Sequence, residues 1–277
     1  MEHKTNLVLS GGGIKGISHI GALYAFEKLG CLETFKNFSA SSVGGVILGL
    51  YIIGYSPVEI FDFIKLFDLS NLKNMSIWNI KQYGLDSGGK FVYVFKKMIR
   101  GKGLDENITL GQLYKLTAKK LILTTVCVET TELVWLSHET HPDLELYLAV
   151  RMTISMPGVY CPVKYKGKYY VDGGCLDNYP FSIFAKELDA TVGILITNSK
   201  EDCKTIDNIE VYMAQVLKCL MTCMYTNMKK GAENCTVDIC ITGIGMTDYD
   251  ISNEQKNELF LAGYEAVVAW VGAAGQK

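Results

Sequence analysis

The sequence predicts an α/β protein, with a mostly parallel central sheet and helices on both of its faces. Three observations carry that prediction. Short apolar runs alternate with longer helical patterns along the chain. Two runs, Leu121–Val128 and Thr191–Thr197, are rich in β-branched residues and apolar on both faces, as strands covered on both sides must be. Turns of small residues follow the first two strands and lead directly into helices.

Taken in order, Asn6-Leu7-Val8-Leu9 is an apolar run halted by glycines and reads as the first strand. Ile14 to Leu29 then reads as a helix, and Phe35 to Ala40 as a second strand entering an apolar helix over Val43–Ile53. Ser56-Pro57-Val58-Glu59 is a capping box with proline at the first helical position, so a third helix opens there. Asp68 to Ser87 has loop character, Gly88 to Ile99 is weakly helical, and Thr109-Leu110-Gly111-Gln112 is another capping box. Beyond the strand Leu121–Val128, Asp143 is placed to cap a helix reaching about Thr153. Val163 to Val171 reads as a hairpin around Lys166-Gly167, and Pro180 to Leu188 as a helix before the strand Thr191–Thr197. Long helices are expected over Asp207–Met228 and Ser252–Trp270, on either side of a strand at Val237–Thr242. The sum is a sheet of about five or six strands.

Composition narrows the class. At 277 residues, 49% hydrophobic and 20% charged, the chain can bury a large core without a metal or disulfide staple. Five prolines and no block of like charge leave no visible linker, so residues 1–277 are expected to form a single domain. A net charge of −2 argues against nucleic acid as a partner, because that binding needs clustered excess cations. The N-terminal run is too short for a secretory signal, and nine cysteines without a Cys-x-x-Cys pair suit a reduced, cytoplasmic protein. Cys219/Cys223 and Cys235/Cys240 lack zinc-ligand spacing, so no metal or other cofactor is expected. The uncharged stretch Asn37–Val58 is long enough to span a bilayer, but its polar start and four glycines favour a buried core helix over a transmembrane segment.

The turn Gly11-Gly12-Gly13-Ile14-Lys15-Gly16 satisfies G-x-G-x-x-G between a strand and a helix. A dinucleotide site also needs an acid at the end of the second strand. That strand ends in Ala40-Ser41-Ser42, with Glu33 lying before it, and the P-loop ending is absent. What remains is a concavity of backbone N–H groups at a helix start, suited to a phosphate or to the oxyanion of acyl transfer.

Ala40-Ser41-Ser42-Val43-Gly44 lies where a strand turns sharply into a helix, the setting of a nucleophile elbow with alanine replacing its first glycine. The plainer role for Ser42 is to cap that helix. A nucleophilic serine needs a base. The chain offers His3, His19, His138 and His141, none after the position a hydrolase triad would use, and His19 sits inside a helix where a structural role is expected. A buried carboxylate can serve instead, and Asp172 leads the candidates: it ends a hairpin strand before Gly173-Gly174. By itself Asp-Gly also reads as an ordinary turn.

Together the segments 11–16, 40–44 and 172–174 resemble the three signatures of the patatin-like phospholipases. Ala149-Val150-Arg151 to Ser155-Met156-Pro157-Gly158 and Asp177-Asn178-Tyr179-Pro180 fit the same pattern, so the resemblance covers roughly residues 5 to 200. It implies a three-layer α/β/α sandwich and a calcium-independent lipid acyl hydrolase. It also implies Ser42 as nucleophile, Asp172 as base, and Gly11, Gly12 and Gly13 as the oxyanion hole, supported by Lys15, Gly44, Gly173 and Gly174. The implied substrate is a phospholipid or another acyl lipid met at a peripheral membrane surface. An esterase or thioesterase for small soluble esters, and a silent lipid-binding protein, are the competing readings. Met213, Leu217, Leu220, Met221, Met224 and Met228 form a stripe at helical spacing suited to core packing. Tyr51, Trp78, Tyr83 and Trp135 are candidates to face the lipid interface.

Overall fold

The computed structural model describes residues 3–198, 205–209, 211–213, 215–216, 219, 229–245 and 248–274. Its strands are β1 (Asn6–Leu9), β2 (Asn37–Ala40), β3 (Lys120–Cys127), β4 (Glu132–Ser137), β5 (Val163–Tyr165), β6 (Lys168–Asp172), β7 (Thr191–Asn198) and β8 (Thr236–Ile241). The α-helices among the described residues include α1 (Ile17–Lys28), α2 (Val43–Ile52), α3 (Pro57–Leu66), α4 (Gly89–Gly101), α5 (Leu110–Thr117), α6 (Leu146–Thr153) and α7 (Asn253–Ala274). The sheet runs β5-β6-β3-β2-β1-β7-β8, with β4 paired to β3.

Five strands, β8-β7-β1-β2-β3, are parallel, as the sequence predicts. The hairpin predicted at Val163–Val171 forms as β5 and β6, and with β4, which the sequence does not predict, it adds an antiparallel wing that makes the sheet larger than expected. β3 is therefore parallel to β2 only. Its other edge takes β4 through the turn at residues 128–131, a half-exposed strand whose polar ends hide its strand pattern.

Period-2 alternation divides the core. Leu7, Leu9, Phe38, Ala40, Leu121 and Leu123 point to the face covered by the α-helices. Val8, Ile122 and Leu195 point to the other face, where Tyr179, Phe181 and Phe184 cover them. The result is a three-layer α/β/α sandwich. The helix expected over Pro180–Leu188 is instead two 3₁₀ turns, Phe181–Phe184 and Leu188–Ala190. In a 3₁₀ turn residues i and i+3 eclipse, so Phe181 and Phe184 both anchor on the sheet.

Both capping boxes opening α3 and α5 form, and so does the pairing of Ser252 with Gln255 ahead of α7. α6 starts at Leu146, and Asp143 does not cap it: Glu145 is held extended by a bridge to Thr109, which delays the helix. The stretch 68–87 carries 3₁₀ turns at Leu69–Leu72 and Ile77–Gln82, tied down by buried Asp86, which accepts from Asn74 N (2.5 Å) and Gly88 N (2.7 Å). α4 is a full helix burying Phe91, Phe95, Met98 and Ile99 on one face. Of the helix predicted over Asp207–Met228, the described residues 209, 211–213, 215–216 and 219 are helical, while Leu217, Leu220, Met221, Met224 and Met228 of its stripe lie outside the described residues. Asn37–Val58 divides into buried β2 and α2, and no helix among the described residues is long and apolar enough to cross a membrane.

The topology itself makes a site. β1 has β2 on one side and β7 on the other, so the chain reverses its direction of travel across the sheet at β1. Loops after the carboxyl ends of strands at such a switch point diverge and leave a crevice. The glycine turn follows β1 and Ser42 follows β2, so both open into it. On β3, Ala40 pairs with Leu123 and Asp172 with Thr125, so β6 takes up the edge that β2 leaves, about 7 Å further along.

Candidate active site

Ser42 joins β2 to α2 with φ 51 and ψ −129, a left-handed conformation that a side chain occupies at a strain of about 1–3 kcal/mol. Its hydroxyl makes no cap bond to α2. It donates instead to Asp172 Oδ2 at 2.8 Å, across 130 positions of sequence. The capping role is thus set aside by geometry. The strain is held by neighbours: Ser42 N–H donates to Thr153 Oγ1 (2.9 Å), and a Cβ on Gly44 would come within 2.8 Å of Ser10 O. Only glycine lets α2 close on the end of β1. Ala40, where the resemblance expects glycine, buries its methyl in the core.

Asp172 ends β6. Its Oδ1 accepts Gly174 N–H at 2.8 Å, and its own N–H donates to Ser155 O at 3.0 Å. Gly173 passes so close to β3 that a Cβ would sit 2.5 Å from Thr124 O. Burial lifts the Asp172 carboxyl from the ordinary 3.8 to about 6, against the opposing hydrogen bonds from Gly174 and Ser42. Cys175 beside it is pushed up to about 12, chiefly by burial, and so stays a thiol.

The glycine turn is held from one side. Gly11 N–H donates to Asn178 O at 2.9 Å, and Asn178 Nδ2 returns a bond to Gly11 O at 3.4 Å. The Gly11 amide is therefore already engaged and is not an oxyanion donor in this arrangement, which corrects the expectation for that residue. Its lack of a side chain serves the fit, since a Cβ there would lie 3.0 Å from Ser42 Cβ. Among the described residues the N–H groups of Gly12 and Gly13 have no protein partner. Lys15 is buried with its ammonium 3.4 Å from Ile241 O at the end of β8, and it does not line the cavity at Ser42.

The histidines stand apart from this pair. His19 is buried, its Nε2–H donating to Ser10 O at 2.8 Å, and burial depresses it to about 4, so it is neutral at physiological pH. His138 stacks on Tyr114, and His141 Nδ1 lies 3.0 Å from Thr140 Oγ1.

Ser42 and Asp172 line a cavity of about 160 Å³, where one water needs about 10–15 Å³. Phe63 and Ile64 of α3, Leu72, and Phe91, Phe95 and Met98 of α4 line it. Water inside would find few polar partners, whereas a hydrocarbon chain fits such walls. Two interface candidates are corrected. Tyr51 is buried with its hydroxyl on Glu33 Oε1 (2.8 Å), and Trp135 packs on the second core. Trp78 and Tyr83 are exposed. No group of three or more His, Cys, Asp or Glu side chains among the described residues is placed to hold a metal.

Sequence reasoning did not assign roles to Thr153 and Ser155, which hold Ser42 and Asp172 respectively from the end of α6. Arg151 supports them: its guanidinium donates to Ser155 Oγ (2.6 Å), Cys161 O (2.8 Å) and Ser87 O (3.2 Å). The segment 149–158 was visible as a pattern, and the contact that gives each residue its purpose was not.

A model of the patatin-like phospholipases matches residues 7–185, which takes in every element of this site. The chain belongs to that family. Among its relatives, the uncharacterized protein R571 of Acanthamoeba polyphaga mimivirus is 29% identical over 276 residues, covering 95% of this chain and 92% of its own length. The probable lipid hydrolase 463L of Invertebrate iridescent virus 6 is 32% identical over 194 residues, covering 67% of this chain and 64% of its own length. The solved structure of VipD from Legionella pneumophila shares the fold at TM-score 0.65 and 16% identity, over 98% of this chain and 67% of VipD.

Thr153→Val keeps the shape but orphans the Ser42 amide, which costs about 1–3 kcal/mol. The variant is expected to turn over a soluble ester roughly 10- to 100-fold more slowly at little-changed KM, with Thr153→Ser restoring the rate. Steady-state kinetics beside a denaturant titration checks this.

Proposed function

We propose that this chain is a calcium-independent lipid acyl hydrolase of the phospholipase A type, working through a Ser42 acyl-enzyme with Asp172 as its base. The observation that carries the reading is the 2.8 Å hydrogen bond from Ser42 to a buried carboxylate, both of them lining an otherwise largely apolar cavity. Asp172 takes the Ser42 proton as the hydroxyl oxygen attacks the acyl carbonyl carbon. The carbonyl oxygen becomes an oxyanion held by the N–H groups of Gly12 and Gly13 and of Val43, the first residue of α2, whose helix dipole favours negative charge. The ester C–O bond breaks, and Asp172 returns the proton to the leaving alcohol of the lysolipid. Water gives a proton to Asp172 as its oxygen attacks the acyl-enzyme carbonyl; the bond from Ser42 Oγ to the acyl carbon breaks, the fatty acid leaves, and Asp172 returns the proton to Ser42 Oγ. Base and oxyanion donors all come from the chain, so the scheme needs no metal. The cavity between α2, α3 and α4 takes the acyl tail of a phospholipid or another acyl lipid at a peripheral membrane surface. A relative named as a probable lipid hydrolase supports the same reading.

Hydrolysis of mixed phospholipid vesicles in excess chelator tests it. Wild type is expected to release fatty acid and to be labelled by a fluorophosphonate probe. Ser42→Ala loses the label, and both Ser42→Ala and Asp172→Asn fall by about 10³-fold or more while remaining folded. Undiminished release by either variant would overturn the assignment.

The base must be ionised, so kcat/KM is expected to climb with pH through a limb centred near 6, the position to which burial lifts Asp172. Asp177 is also lifted to about 6 by burial, but its carboxylate holds Tyr179 N–H and not Ser42. Asp177→Asn should therefore leave the limb in place, as a pH-rate profile will show.

A further inference from the structure

The strap between α3 and α4 both walls the cavity and carries the most conspicuous apolar surface outside it. Leu69 and Leu72 line the cavity, and the N–H groups of Leu85 and Asp86 both donate to Val159 O, another wall residue (3.0 and 2.8 Å). Between these anchors the 3₁₀ turn Ile77–Gln82 projects outward. Ile77, Trp78, Ile80 and Tyr83 are 72%, 76%, 56% and 67% exposed. In a 3₁₀ turn Ile77 and Ile80 share one face, so this is a raised ridge and not a scatter of single side chains.

Charge surrounds that ridge. Tyr83 packs edge-on against Tyr169 of the β5–β6 hairpin, with ring centroids 5.6 Å apart. From Val159 to Val171 the hairpin segment carries Lys164, Lys166 and Lys168 and no acid, and all three lysines are exposed. The strap adds exposed Lys81, and Lys90 is joined to it through Lys73 O at 2.9 Å. From Ser70 to Leu104 the only acid is Asp86, which is buried. Glu129, which accepts the Tyr169 N–H, is the acid beside the hairpin. In a chain of net charge −2, this is a local excess of cations.

We infer that the ridge Ile77–Tyr83, with the lysines of the strap and the β5–β6 hairpin, is the surface by which the protein docks on an anionic phospholipid bilayer. Trp and Tyr with apolar neighbours are the side chains that settle at the headgroup boundary, and lysines add attraction to anionic lipid. A protein partner fits less well, since lysine is depleted in protein–protein interfaces. The inference rests on the lipid-hydrolase reading for its purpose. Docking through this strap brings the wall of the acyl cavity to the lipid that supplies the chain.

Co-sedimentation with phosphatidylcholine vesicles, with and without phosphatidylserine at roughly a third of the lipid, tests it. Ile77→Ser/Trp78→Ser should weaken binding to the anionic vesicles at least about tenfold, and Lys81→Gln/Lys168→Gln about fivefold per charge, less at high salt. Both variants should keep wild-type turnover of a soluble short-chain ester, which verifies their folding and their site. Anionic-vesicle binding as tight as wild type in both variants overturns the inference. So does equal wild-type binding to both vesicle types, or a concentration-dependent dimer lost in Ile77→Ser/Trp78→Ser. Ser42→Ala separates the two claims: it should bind vesicles like wild type, and if it also hydrolysed like wild type, the catalytic reading would fail while the docking result stood.

Discussion

A single hydrogen bond, from the half-buried Ser42 hydroxyl to the buried Asp172 carboxylate, organises this molecule. It places an ionisable group where water cannot solvate it, which is unfavourable unless the surroundings define it closely. They do. The carboxylate is matched by Gly174 N–H on one oxygen and by Ser42 on the other, and its own amide is fixed on Ser155. The serine sits in a strained backbone conformation fixed through Thr153. Because the native state holds the Asp172 proton more tightly than the unfolded chain does, this group's contribution to stability is full below its ordinary 3.8 and is lost as pH rises through about 6. Stability is thus given up near neutrality, where the proposed mechanism requires the carboxylate to be ionised.

The scaffold that imposes this arrangement is assembled from long-range contacts. Parallel pairing of β1, β2 and β3 sends two loops into one crevice, and the antiparallel wing returns β6 along the edge that β2 vacates. The end of α6 and the residues just after it then hold both partners from two positions apart, Thr153 on the helix and Ser155 beyond it. Arg151, on the same helix, ties Ser155 to the segments around Ser87 and Cys161. Site, cavity wall and strap are one continuous hydrogen-bonded unit.

Much of this was legible in the sequence where the signal is local. The strand β1, the capping boxes of α3 and α5 and the Lys166-Gly167 turn follow from nearby residues, whereas the pairing of Ser42 with Asp172, 130 positions apart, is implied only by the family resemblance. The misses share a physical cause. β4 is set by its pairing with β3, the late start of α6 by the isolated bridge from Glu145 to Thr109, and the 3₁₀ turn at Phe181–Phe184 by the sheet surface beneath it. Gly11 carries the right residue type for an oxyanion donor, but its amide is taken by Asn178, 167 positions away. Nor does any local pattern reveal that α2, α3 and α4 enclose a cavity, or that Trp78 lies outside it while Tyr51 lies in the core.

The most direct test of this account is a titration of Asp172 itself, followed as the carboxylic-acid carbonyl band in the infrared difference between wild type and Asp172→Asn. A buried carboxyl bonded to Ser42 should lose its proton with a midpoint near 6. In Ser42→Ala the midpoint should move higher, because the hydroxyl's hydrogen bond favours the charged form. A midpoint at the ordinary 3.8, unmoved by loss of the Ser42 hydroxyl, would contradict it.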